Sequence, residues 1–130
     1  MSRINISSGA PWEAKIGYSR AVRKRNMIFV SGTVAVDENG KPIGGDSPKE
    51  QARYILDKIG KTLEQVGAQL SDIVRTRIYV TDIKRWQEVG EAHADFLGHI
   101  APATSMVQVS ALIRPEYLVE IEAEAMVIGE

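Results

Sequence analysis

The segment LVEIEAEAMV alternates without a break: Val119, Ile121, Ala123 and Ala125 fall on one side of an extended chain, and Glu120, Glu122 and Glu124 on the other. Such a strand fits a sheet with one face covered by apolar neighbours and the other left polar, because a slip of one residue would exchange the two sets. VRTRIYVTD repeats the pattern, with Val74, Thr76, Ile78 and Val80 opposed to Arg75, Arg77, Tyr79 and Thr81. MIFVSGTVAVD and TSMVQVSAL read as further strands, and INIS and YSRAVRK as weaker ones.

Two segments have the helical period needed to cover that sheet. In SPKEQARYILDKIGKTLEQVG, residues Ala52, Ile55, Leu56, Ile59, Leu63 and Val66 form one stripe. Ser47 is placed to cap this helix, Pro48 to occupy its first turn, Glu50 to complete a capping box and Gly67 to end it. Residues 83–97 form the second helix, with Trp86, Val89, His93, Phe96 and Leu97 inward, Asp82 as cap and Gly98 as stop. The order is strands, helix, strand, helix, two strands, with DENGKPIGG as a loop. This predicts an α+β fold with both helices on one face of the sheet. The other face carries arginines, carboxylates, a tyrosine, Met106 and Met126, and is either solvated, with cross-strand Arg–Glu pairs, or buried in an oligomer.

A chain of 130 residues, 44% apolar and 25% charged, is the size of one domain, taken here as residues 1–130. Sixteen basic and 17 acidic residues leave a charge of −1, which speaks against nucleic acid and anionic membranes as partners. The absence of cysteine excludes disulfides and thiolate metal sites, and the start MSRINISSG lacks a secretory apolar core. No run approaches the ~20 apolar residues of a membrane span. The expectation is a soluble, cytoplasmic domain.

Chemical signals are sparse. His93 and His99 point to different faces of a helix and form no metal site. His93 lies on the apolar stripe, either as a core or interface histidine or as a pocket wall. The run RAVRKR reads as an exposed, charge-protected strand edge in preference to a phosphate patch. No GxSxG elbow, GxGxxG loop or Walker motif occurs. Glu120 begins the carboxylate row and is either solvated or, if partly buried, able to hold or move a water.

The pieces GAPWEAKIGYSRAV, FVSGTVAVDENG, QARYILDKIGKTLEQVGAQLSDIVRTRIYVTDI, PATSMVQVSAL and VEIEAEA, in this order and spacing, resemble the RidA family, also called YjgF or reactive-intermediate deaminases and associated with the name endoribonuclease L-PSP. The resemblance implies a chorismate-mutase-like α+β fold with a mixed sheet, and a homotrimer whose sheets form a central barrel with ligand clefts at the subunit interfaces. It also implies hydrolysis of 2-imino or enamine acids to 2-oxo acids and ammonia, with no cofactor and no metal. In that branch the strand motif is Pro-Ala-Arg-Ser, and its arginine holds the substrate carboxylate. Here the stretch is Pro102, Ala103, Thr104 and Ser105. Losing one partner of a buried charge pair typically costs ~2–5 kcal/mol, so the usual carboxylate grip should be absent.

The resemblance further implies Tyr18, Ser31, Gly32, His93, Thr104 and Ser105 as substrate-binding residues and Glu120 as the residue that positions water. Departures surround the same cleft: the proline of the Ile-Gly-Pro-Tyr-Ser motif is missing, Thr33 replaces a glutamine, His93 a frequent tyrosine and Gly90 a frequent asparagine. Two functions fit: a hydrolytic deaminase of a reactive imine or enamine with doubtful activity on 2-iminobutanoate or 2-aminoacrylate, or a non-catalytic metabolite-binding or regulatory trimer. An endoribonuclease or translation inhibitor fits less well, given the charge balance and the lack of paired catalytic histidines.

Overall fold

A computed structural model describes residues 3–128. Six strands, β1 (Arg3–Ile6), β2 (Ala21–Lys24), β3 (Met27–Thr33), β4 (Ile73–Val80), β5 (Ala103–Gln108) and β6 (Val119–Met126), form one sheet in the order β1-β2-β3-β6-β4-β5. All pairings are antiparallel except β4 with β5, which makes the sheet mixed. Since β3 and β4 both run antiparallel to β6, they are parallel to each other, so β3 to β4 and β4 to β5 each require a crossover. Helices α2 (Pro48–Glu64) and α3 (Trp86–Leu97) supply them. Both crossovers step the same way across the sheet, and crossovers of one hand then leave both helices on one face.

The core between that face and the helices contains Ile28, Ile55, Leu56, Ile59, Ile78 and Ile121, all essentially inaccessible. Ser47 Oγ accepts from Glu50 N (3.1 Å) and so caps α2, but the expected reciprocal bond does not form: Ser47 N donates to Gly44 O instead. Gly67 takes a positive φ at the end of α2, where Ala68 N bonds Leu63 O. Gln51 was invisible to the apolar pattern. Fully buried, it donates from Nε2 to Gly45 O (2.8 Å) and Glu116 O (2.9 Å) and accepts from Leu118 N (2.9 Å), tying two loops to the helix.

Several expectations need correction. A bulge between Ile73 and Arg75 shifts the phase of β4, so Ile73 enters the core and Val74 is 45% exposed, while Thr76, Ile78 and Val80 keep their inward positions. Met106 pairs with Ile78 and packs against the core, away from the open face. The strand at Met27 ends at Thr33, short of Asp37. Residues 83–85 form a 3₁₀ turn capped by Asp82, whose Oδ1 accepts from Lys84 N, and Trp86, placed inward by the period, is 54% exposed because α3 begins there. Gly98 does stop α3, as its C-cap after Leu97, but with a helical φ of −60°; the left-handed turn comes only at Ala101, φ 48°. A further short helix, α1 (Pro11–Ile16), has no apolar period to announce it and is held by Glu13, whose carboxylate accepts from Ser7 Oγ, Ser8 N and Ser8 Oγ.

Candidate functional site

Ser105 apart, the residues singled out in the sequence separate into two groups on opposite faces of the sheet. The first lies where β3 meets β6. A register shift between Val30 and Thr33 lifts Ser31 and Gly32 out of the regular ladder. Ser31 N then donates to Arg20 O (3.0 Å) and Ser31 Oγ to Ser19 O (2.7 Å), which fastens the segment carrying Tyr18 to the bulge. Glu120 projects from β6 on the face away from the helices, opposite Tyr79. Its carboxylate lies against the Gly32 backbone, and a Cβ on Gly32 would collide with it. Burial pushes the Glu120 pKa above the usual carboxylate range, the Arg20 charge opposes the shift and Glu122 adds to it.

Arg20 is the residue that charge patterning misassigned. The run RAVRKR is not a sheet edge, because β2 pairs with β1 on one side and β3 on the other; Arg20 is 8% exposed, its Nη2 donates to Gly32 O, and its guanidinium stands 5.8 Å from the Tyr18 ring centroid. Its Nε is buried with no partner among the described residues. Only Lys24 and Arg25 of the run are exposed, while the half-buried Arg23 donates to Val66 O (2.6 Å). Strand alternation was the available signal, since Arg20 is in phase with Val22, a residue lining the open face.

Beside this group the open face forms a shallow concavity of about 560 Å³, lined by Tyr18, Phe29, Ser31, Arg77, Glu122 and Glu124. Arg77 Nη1 donates to Glu124 Oε2 (2.7 Å), and Tyr79 OH to Glu122 Oε1 (3.2 Å). These are the cross-strand pairs of the solvated reading. Phe29, Met27, Met126 and Val107 nevertheless remain exposed in the single chain.

The second group lies under the β4–β5 edge. Thr76 and Thr104 are register partners, and their hydroxyls are 2.8 Å apart on the helix side. His93 reaches from α3 to place Nε2 2.9 Å from Thr76 Oγ1. Thr104 Oγ1 also donates to Pro102 O (3.1 Å). Burial lowers the His93 pKa and so favours the neutral ring. Ser105 pairs with Arg77 and so points to the opposite side of β5 from Thr104. β5 is one of the sheet's two outer strands and is exposed along most of its length. Tyr18, Ser31, Gly32 and Glu120 are thus brought together, as are His93 and Thr104, but the two sets do not meet within one chain.

Among the described residues no three His, Asp or Glu side chains converge as metal ligands, and no helix is long and apolar enough to cross a membrane. The sequence matches the family described as Endoribonuclease L-PSP over residues 9–127. It is 34% identical to a RutC family protein of Pyrococcus horikoshii over 127 residues, 96% of this chain and 98% of that one. Among solved structures, a YjgF/YER057c/UK114 family member from Mycobacterium tuberculosis is 52% identical, covers 97% of this chain and 100% of its own, and superposes with a TM-score of 0.88. A Rid family protein of unknown function from Yersinia pestis is 34% identical, with coverage of 97% and 100% and a TM-score of 0.84. The mixed sheet and its helices are therefore the chorismate-mutase-like fold, and the chain belongs to the RidA/YjgF family of endoribonuclease L-PSP-type proteins.

Proposed function

We propose that this protein hydrolyses the C=N bond of a small reactive imine or enamine, in a cleft formed between copies of the chain in a homotrimer. The observation that carries the reading is Glu120, a half-buried carboxylate with a raised pKa set against a glycine backbone beside Ser31 and Arg20. A carboxylate so placed can hold a water, take its proton as the oxygen attacks the imine carbon, and return that proton to nitrogen as ammonia leaves. The atoms balance as imine plus water giving carbonyl plus ammonia, so the reaction needs no cofactor. Tyr18, Ser31 and Gly32 frame the Glu120 side. Thr104 and Ser105 on the β5 edge, with His93 reaching toward it from α3, are not brought to Glu120 within one chain, and the neighbouring copy in a trimer would supply them.

Thr104 sets the limit on the substrate. A hydroxyl offers neither the charge nor the two-pronged geometry of a guanidinium, so carboxylate-bearing imines are poor candidates. Imines without a carboxylate, made in situ from primary amines by an amine oxidase, should release ammonia faster with the protein than without it, and Glu120→Gln should abolish the difference. Enzymatically generated 2-aminoacrylate should decay at nearly its spontaneous rate. If no imine of either kind is accelerated, the hydrolytic reading fails. What remains is a metabolite-binding trimer, the second reading that Thr104 favours. Light scattering tests the cleft: a monomer at micromolar concentration would remove it.

A further inference from the structure

The hydroxyl chain behind Thr104 has a direction, and proton counting determines it. Three contacts must be served: His93 Nε2 to Thr76 Oγ1 (2.9 Å), Thr76 Oγ1 to Thr104 Oγ1 (2.8 Å) and Thr104 Oγ1 to Pro102 O (3.1 Å). A threonine hydroxyl carries one proton, and a carbonyl carries none. The Pro102 contact therefore uses the Thr104 proton, the contact between the threonines uses that of Thr76, and the remaining contact requires a proton on His93 Nε2. Burial favours the neutral ring of His93, which has one proton to place. Thr76 is fully buried and has no alternative partner in solvent.

In this arrangement Thr104 Oγ1 receives one bond from Thr76 and gives its proton to Pro102 O, leaving a single lone pair on an exposed residue of this outer strand. Among the described residues no ammonium or guanidinium joins these hydrogen bonds. We infer that Thr104 is held as a hydrogen-bond acceptor toward the ligand, with Thr76 and His93 as positioning residues, so that the group bound there is an uncharged N–H or O–H donor such as a carboxamide and not a carboxylate. The inference rests on the reading that this strand edge lines the ligand cleft. It specifies the polarity of the position that Thr104 occupies.

The direction of the chain and the preference it produces are measured separately from turnover. In a His99→Gln variant, His93 is the sole histidine, and its ring ¹⁵N and ¹³C shifts should report the Nε2–H tautomer at pH 7.5. By calorimetry, 2-oxobutanamide should bind at least about tenfold more tightly than 2-oxobutanoate, a difference of ~1.4 kcal/mol. Thr104→Arg should reverse the order. His93→Gln, which keeps an N–H donor, should retain the preference, and His93→Leu should narrow it. An Nδ1–H tautomer, equal or tighter binding of the carboxylate, or no binding of the amide overturns the inference. If the amide preference holds while no imine is hydrolysed, only the hydrolytic reading falls.

Discussion

The two faces of this sheet are built from the same strands and obey different chemistry. On β3, Ile28 is fully buried under α2 while its neighbour Phe29 is 44% exposed on the open face. On β6, Ile121 is sealed in the core while Glu120 and Glu122 stand on the other side among arginines and a tyrosine. Away from the β5 edge, the helix-covered face is complete within one chain. The open face has cross-strand ion pairs, a shallow concavity and several uncovered apolar side chains, as expected of a surface shared between satisfying itself and receiving a partner.

The largest test of this contrast is a pair of adjacent substitutions. Ile28→Ala removes a core side chain and should destabilise the fold by ~2–4 kcal/mol in chemical denaturation, at any protein concentration. Phe29→Ala should cost the isolated chain only about 1–1.5 kcal/mol, because nearly half of the side chain is already in water. In the proposed trimer it should also weaken association, so its melting temperature should fall more at low than at high protein concentration. Equal losses for the two variants, independent of concentration, would show that the open face needs no partner.

Next in size is Gln51, the polar exception inside the covered face. Gln51→Leu leaves Gly45 O, Glu116 O and Leu118 N without their partner, and should cost ~2–3 kcal/mol. The residue also shows where sequence reading stops. Periodicity identifies Ile55, Leu56 and Ile59 because burial of apolar surface is a one-body property, legible from residue type and phase. Gln51 is buried because three groups distant in sequence converge on it, and nothing local records that.

The same division runs through the candidate site. Glu120 could be placed on the open face from the alternation of β6, and Thr104 could be marked by its position in the PATS motif. Their separation onto opposite faces follows from Thr76 pairing with Thr104 across a parallel ladder, which is topology. Arg20 was misread because a charge run describes charge and not the carbonyl, ring and carboxylate that surround one of its members. The bulges at Val74 and Gly32 were out of reach for a related reason: an inserted residue shifts the phase of a strand without changing its composition.

A smaller effect is expected at the turn into β5. Ala101 has φ 48° immediately before Pro102, a left-handed conformation that costs an L-residue with a Cβ roughly 1 kcal/mol. Ala101→Gly should relieve that strain, offset in part by the greater freedom of glycine in the unfolded chain, for a net gain of about 0.5 kcal/mol. The variant also tests whether this turn sets the Thr104 chain, since the tautomer of His93 should not change if only local strain is relieved.

The smallest effect expected is the most informative about the open face. Glu120 has its pKa raised by burial despite the nearby Arg20 charge, so the folded state favours its protonated form. A group of this kind contributes stability that is full below the ordinary carboxylate range and is lost as pH rises through its raised folded value. Glu120→Gln removes that dependence. Relative to wild type, the variant should therefore gain stability between pH 4 and pH 7, although it loses the proposed water-positioning carboxylate. Denaturation at the two pH values reads the difference. A wild-type curve that gains stability over the same window relative to the variant would mean that Arg20 outweighs burial. Glu120 would then be a structural counter-ion for the buried guanidinium and not a base kept ready for water. The sign of this small difference decides which side of the sheet's division the residue serves.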